Sequence, residues 1–245
     1  MTRRILALQK TLKNEIRCNG IGVHTGERVS AILRPAPHDT GIVFRRVDLP
    51  GEPRFPARFD SVTDGQLCTS IGDGKGAGVA TIEHLMAAFA GLEIDNAYVD
   101  LDGPEVPAMD GSSAPFVFLI ECADVIEQAA PRRYIQVLKP VRVADGGRSV
   151  SLEPGPGFSL SFVIDFDNRL VGRQRCDMRL NVGRFKSDLS YARSFGFIED
   201  VDRLRKMGLA RGGSLENAAG VDGGRVLSAG GLRYNDEFVR HKALD

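Results

Sequence analysis

The sequence predicts an α+β protein in which mainly antiparallel sheets pack on helices, and three observations carry that expectation. Strand-like segments cluster apart from the helical ones, with few strand-helix-strand crossovers. The glycine-rich runs lack phosphate-loop spacing: 72–78 contains Asp73 and Lys75 but no G-x-x-x-x-G-K-[ST], and no G-x-G-x-x-G lies between a strand and a helix. The length, 245 residues, accommodates two small domains, each able to bury a core.

Along the chain, Val29 to Leu33 alternates apolar and polar positions, and Ile42 to Val47 mixes apolar residues with arginines, as half-exposed strands do. Val79 to Gly91 reads as a helix, because Ile82, Leu85, Met86 and Phe89 form one stripe, with Gly91 at its C-terminal stop. Ala80, Ala87 and Ala88 make its other face small, so it reads as buried, together with Glu83 and His84. Asn96 to Leu101 is the next strand. A loop rich in Gly, Pro and Asp leads to a second helix, with Ser113 as N-cap, Pro115 in its first turn, and Phe116, Leu119, Ile120, Ala123 and Ile126 at helical spacing.

The polar stretch from Glu127, broken by Pro131, is expected to divide the chain into a first domain (1–127), a linker (128–133) and a second domain (134–245). Phe158, Leu160, Phe162, Ile164 and Phe166 then alternate as one core face of a strand. Tyr134 to Val143 and Ser149 to Leu152 are its weaker neighbours. Glu199 to Met207 is a short helix closed by Gly208, inside an insert-like region near 195–221. A hairpin is expected over Arg225 to Tyr234, turning at Ala229-Gly230-Gly231.

Lysine plus arginine equals aspartate plus glutamate at 32 each, so no global field favours nucleic acid or an acidic membrane, and a small specific substrate is expected. The apolar run Ile5 to Leu8 is too short for a signal-peptide core, and no stretch approaches the ~18 apolar residues of a membrane span. Cys18, Cys68, Cys122 and Cys176 form no C-x-x-C pair, which fits a reducing cytoplasm better than a disulfide scaffold or a zinc ribbon. A monomer is expected.

The chemistry concentrates in two places. His241 and Asp245 stand one helical turn apart and share a helix face, so both can reach one ion, with Lys242 beside them. His84, one of only four histidines, follows Glu83 on the buried helix. Buried polar groups are costly unless paired or bound to a metal, and an adjacent acid and imidazole can supply a general base and a ligand. Two histidines and a carboxylate with an open position form a catalytic zinc set. The same donors also suit iron(II).

Six blocks give the chain a family resemblance: Gly20-Ile21-Gly22-Val23-His24-Thr25-Gly26, Leu67-Cys68-Thr69, Thr81 to Ala88, Met109-Asp110-Gly111-Ser112, Ala192 to Phe197, and Asp236 to Asp245. In this order they resemble the UDP-3-O-acyl-N-acetylglucosamine deacetylases, from about Gln9 to the last residue. The resemblance implies a zinc amidase of lipid A synthesis, built as two α+β sandwiches with the site between them, that removes acetate from a UDP-linked, 3-O-hydroxyacylated glucosamine. It implies one Zn2+ held by His84, His241 and Asp245, with Glu83 as general base. An amide is a poor electrophile, so the reaction needs a metal that polarises the carbonyl and acidifies water, and a carboxylate close to that metal but not on it. Lys242 and Ser194 are candidate donors to the tetrahedral oxyanion; the family usually has threonine where Ser194 stands, and the hydroxyl is kept. Phe195 is the candidate contact for the acyl chain, and Cys68 and His24 are candidates for the substrate side. His24 reads equally as a turn-capping loop residue, and Asp110 as a residue that caps or turns its own loop.

The family pattern continues past Asp245 with more of the last helix, a further aspartate and a histidine that acts as general acid. Neither His24 nor His38 lies in a segment matching that role. The expectation on sequence grounds is therefore weak metal retention and little turnover for the chain as written. A non-catalytic protein that binds zinc or UDP-sugar, and a zinc amidase for another N-acetylated sugar, are the alternatives.

Overall fold

The computed structural model describes residues 7–245, so the apolar run from Ile5 begins outside the described residues. The fold is α+β. In the first half the order is β1 (Leu8–Leu12), β2 (Ile16–Ile21), β3 (Arg28–Pro35), β4 (Ile42–Arg46), β5 (Arg54–Pro56), β6 (Val62–Asp64), β7 (Ser70–Gly72), β8 (Gly78–Val79), α1 (Glu83–Gly91), β9 (Ala97–Leu101), α2 (Ala114–Cys122) and β10 (Val125–Pro131). Five strands make the main sheet in the order β2-β3-β9-β4-β5, antiparallel except for the β4/β9 pair. Alternation in β3 places Val29, Ala31 and Leu33 on the inner face. There they join Leu85, Ala88 and Phe89 of α1 and Phe116, Val117 and Ile120 of α2 in one core.

Several boundaries differ from the sequence reading, each for a local reason. The first helix starts at Glu83 rather than Val79, because Val79 belongs to β8 and Thr81 takes a left-handed backbone (φ 58°) that no helix admits. Gly91 is the last helical residue and not a left-handed stop. A Cβ on it would meet the Phe185 ring at 2.1 Å, so its role is close packing. Ser113 precedes α2 but makes no side-chain cap; its Oγ donates to the His84 carbonyl at 2.7 Å. Ile126 lies in β10, beyond α2, and is exposed. The stretch 128–133, expected as linker, is strand through Pro131 and pairs antiparallel with β1. Its polar composition is that of a largely exposed strand, with Gln128 Nε2 donating to the Ala36 carbonyl.

The second half runs β11 (Val141–Asp145), β12 (Arg148–Leu152), β13 (Ser159–Asp165), β14 (Arg173–Arg179), α3 (Val182–Arg184, continued by a wider turn to Leu189), β15 (Phe195–Phe197), α4 (Ile198–Lys206), β16 (Ala219–Asp222), β17 (Arg225–Val226) and α5 (Glu237–Leu244). The hairpin expected over 225–234 lies earlier. β16 and β17 turn at Gly223-Gly224, and Gly230 and Gly231, both at positive φ, instead bend the chain toward α5. Of the Tyr134 to Val143 segment only Val141 onward is strand. The expected core face of β13 is fully buried only at Ile164, whereas Phe158, just before the strand, is 65% exposed. α4 ends as expected, with Gly208 left-handed after it. α5 packs across β13 and β14, and Phe238 and Val239 join Ile164, Val171, Cys176 and Val221 in a second, smaller core. Among the described residues no helix is long and apolar enough to cross a membrane.

Candidate metal centre

α1 and α5 touch, and their contact brings together residues that the sequence keeps 157 positions apart. His84, in the first turn of α1, points its Nε2 to within 3.1 Å of His241 Nε2, with the rings edge to face. Asp245 Oδ1 lies 3.4 Å from His84 Nε2 and 3.5 Å from His241 Nε2. Zinc-nitrogen and zinc-oxygen bonds of about 2.0–2.2 Å put neighbouring tetrahedral ligand atoms roughly 3.3 Å apart. The three separations bracket that edge, so His84, His241 and Asp245 fit one face of a tetrahedral site.

Protonation favours the same use. Burial pushes His241 down to about 3, so its ring is neutral at physiological pH, the form that ligates. Burial opposes ionisation of Asp245, but the surrounding His241 and His84 imidazoles and the Lys242 ammonium outweigh it and hold the carboxyl well below the usual range. His241 Nδ1 is buried without a hydrogen-bond partner, so the ring is aimed by packing rather than by the outer acceptor that ligand histidines commonly have. Phe195 supplies part of that packing: its ring lies 5.9 Å from the His241 ring and 4.9 Å from Phe238.

Glu83 is beside the cluster and outside it. Its Oε2 accepts the Thr69 backbone N–H at 3.0 Å. Burial raises its proton affinity above that of an ordinary glutamate, and the N–H groups of Thr69 and Glu83 itself only partly offset this. Ser194 Oγ lies 3.2 Å from His241 Nε2, and its backbone is clamped by N–H donation to the Gly111 carbonyl (2.8 Å) and by a carbonyl that accepts from Ala219 (2.7 Å). Lys242 Nζ donates to Asp245 Oδ2 at 3.0 Å and stands 5.8 Å over the Phe195 ring, so its charge is set at the rim of the cluster.

His24 and Cys68 are also brought together. The neighbouring Cys68 thiol and the Glu105 and Glu83 carboxylates raise the imidazole against its burial, and the thiol approaches Ser70 Oγ at 3.6 Å. For Cys68, burial pushes upward, but His24 and Ser70 together win and lower it. His24 Nδ1 accepts from Ala210 N at 3.4 Å, so the ring ties its loop to a distant segment of the chain. Asp110 turns its loop as expected, accepting from Ser112 N and Oγ, and also pairs with Arg233 at 2.9 Å.

The sequence reading gave no role to three groups: the Thr69 N–H, the buried Glu105, and the Arg193–Glu237 pair. Glu105 accepts from His24 N (3.0 Å), Thr25 N (3.0 Å), Thr25 Oγ1 (2.9 Å) and Thr81 Oγ1 (2.7 Å). It thereby ties the His24 loop to the entry of α1. Glu237 carried a readable signal, because it precedes His241 by four residues and shares its helix face.

An α+β scaffold whose two halves contribute two imidazoles and a carboxylate to one tetrahedral face, with a proton-hungry carboxyl alongside, defines a protein built for metal-assisted hydrolysis. Residues 9–245 match the family of UDP-3-O-acyl N-acetylglycosamine deacetylases. Similar curated proteins include UDP-3-O-acyl-N-acetylglucosamine deacetylases from Acidithiobacillus ferrooxidans (54% identical, covering 97% of this chain and 78% of the relative) and Nitrosococcus oceani (51%, 97% and 78%). That of Shewanella frigidimarina is 46% identical, covering 98% of this chain and 79% of the relative. The chain belongs to this deacetylase family.

Proposed function

We propose that the chain hydrolyses the acetamide of UDP-3-O-(3-hydroxyacyl)-N-acetylglucosamine, releasing acetate, as a cytoplasmic, monomeric zinc enzyme of lipid A synthesis. The observation that carries the proposal is the convergence of His84, His241 and Asp245, with Glu83 next to them, in a member of that family. The first half (1–127) provides Glu83 and His84, and the second (134–245) provides the remaining ligands, Ser194, Phe195 and Lys242. Zinc bound by His84, His241 and Asp245 supplies Lewis acidity toward the amide carbonyl and toward water.

The chain's own residues do the rest. Glu83, its proton affinity raised by burial and one oxygen held by Thr69, takes the proton of the attacking water and returns it to the sugar nitrogen as the C–N bond breaks, so that acetate and the free amine leave. The Ser194 hydroxyl and the Lys242 ammonium, both at the cluster, donate to the oxyanion that develops on the carbonyl oxygen. Phe195, half-buried among Phe166, Phe197 and Phe238, offers an apolar wall to the acyl chain. His24 and Cys68 flank the substrate near Glu83. The test is acetate release from the UDP-sugar by zinc-loaded protein, compared with a substrate lacking the 3-O-acyl chain. Release from neither, by protein carrying one zinc, would refute the assignment. Equal rates on both would remove the acyl-chain contact and leave a less selective amidase.

A further inference from the structure

We infer that the buried Arg193–Glu237 ion pair is a positioning device for the metal centre, fixing α5 against β15 so that His241 and Asp245 meet His84. The inference rests on the metal reading of that cluster. Glu237 is fully buried and Arg193 nearly so, with side chains 0% and 6% exposed. The carboxylate is saturated: Oε1 accepts Arg193 N (3.0 Å) and Nε (2.8 Å), and Oε2 accepts Arg193 Nη2 (3.1 Å) and Arg233 N (2.7 Å). Arg193 Nη2 also donates to the Gly231 carbonyl at 2.7 Å, at the bend that leads into α5.

The placement of the pair gives it more than a packing role. Glu237, His241 and Asp245 recur every four residues and so share one face of α5. Arg193 immediately precedes Ser194, whose hydroxyl lies 3.2 Å from His241 Nε2. One end of the pair is therefore attached to the helix of the candidate ligands and the other to the segment that carries Ser194 into β15. The bond from Arg193 N to Glu237 Oε1 makes this a main-chain constraint. Phe238, Val239 and Leu244 bury the helix but do so without direction, whereas a forked guanidinium-carboxylate pair sets both rotation and translation. Sliding α5 by one residue moves each ligand by about 1.5 Å and about 100°, enough to destroy a site whose ligand atoms lie 3.1–3.5 Å apart. With His241 Nδ1 unpartnered, no outer hydrogen bond compensates.

The experiment separates positioning from stabilisation. Replacing a buried ion pair by apolar residues of similar size often preserves stability while removing its directionality. We therefore compare the parent with R193M/E237L and with R193K, reading zinc Kd by chelator competition and the Tm of the metal-free proteins. The expected result is a double variant that melts within a few degrees of the parent but binds zinc about 10–100-fold more weakly, with R193K intermediate. A folded double variant with zinc Kd within threefold of the parent overturns the inference. So does unfolding of both variants, which would make the pair a requirement of the fold itself. If the parent binds no zinc, the metal reading fails on its own, and amide hydrogen exchange decides the positioning. Faster exchange at His241 and Lys242 in a double variant of parental Tm supports it, and unchanged exchange overturns it.

Discussion

At the scale of single residues, the sequence neighbours Glu83 and His84 have separable duties in the proposed reaction, general base and metal ligand, and substitution tests each. Glu83→Gln keeps size and the acceptor for Thr69 N–H while removing the base. It should lower kcat by about 10²–10⁴-fold with zinc content unchanged. His84→Ala should lose the zinc as well, measured by metal analysis after gel filtration. A Glu83→Gln protein that turns over at the parental rate would move the base elsewhere. That these residues belong to one candidate site was legible in residue type and spacing, a Glu-His doublet on an apolar helix and a His-x-x-x-Asp face, and the structure brings His84, His241 and Asp245 together. The Thr69 N–H and the Glu105 carboxylate were not, because a backbone donor has no letter of its own, and a lone glutamate in a loop gains meaning only from the four donors that the fold aims at it. Asp48 shows the same dependence. It pairs with the nearly buried Arg46, which donates Nη1 to the Gly78 carbonyl just ahead of the α1 entry. The hydrogen bond from Arg46 holds the Asp48 carboxyl below its ordinary value. A depressed folded pKa stabilises fully above the unfolded value of about 4 and is lost as pH falls through the folded one. The Tm difference between parent and Asp48→Asn should accordingly be largest at neutral pH and shrink as pH is lowered from about 5 to 2.5. A difference that stays constant over that range would show that the pair does not titrate with folding.

At the scale of elements, the errors of the sequence reading share one cause. Periodicity identifies apolar faces but not the backbone reversals that end them. Ile82, Leu85 and Phe89 gave the face of α1, while its start was set by Thr81 in a left-handed conformation, held there by the hydroxyl bond to Glu105. The hairpin near residue 225 was misplaced because two glycine pairs, 223-224 and 230-231, both satisfy a turn, and only pairing with β16 chooses between them. Gly111 illustrates a reversal that position alone does not reveal. It has φ 80°, and a Cβ there would lie 1.8 Å from the Asn217 carbonyl oxygen, while its own carbonyl holds Ser194 N. Gly111→Ala should therefore cost at least ~2 kcal/mol by denaturant unfolding, from left-handed strain plus the clash. In whatever fraction folds, it should also displace Ser194 and lower kcat. A variant within ~0.5 kcal/mol of the parent would show that the 111–113 turn yields freely.

At the scale of the whole molecule, the two apolar clusters do not divide at residue 130. Six buried apolar residues, Ile164, Val171, Cys176, Val221, Phe238 and Val239, make the second cluster among the described residues. Meanwhile Phe185, Leu189 and Leu244, also from the second half, are built into the first. Gly91 admits the Phe185 ring against α1, and α5 touches α1 through His84 and His241, so the seam between halves carries both apolar contact and the candidate metal cluster. A ligand that binds only the native state stabilises by RT ln(1 + [L]/Kd), about 2.7 kcal/mol at a hundredfold excess over Kd, which for a chain of this length corresponds to roughly 5–10 °C in Tm. Because His84 comes from one half and His241 and Asp245 from the other, that increment requires both halves to be folded and docked. Calorimetry of the zinc-loaded protein should therefore give one transition with matching calorimetric and van't Hoff enthalpies, raised by that amount over the chelated form. His84→Ala and Asp245→Asn should each abolish the increment, although they lie in different halves. Two resolved transitions with zinc bound, or a zinc increment that survives His84→Ala, would mean that the halves fold separately and that the metal is held by one of them alone.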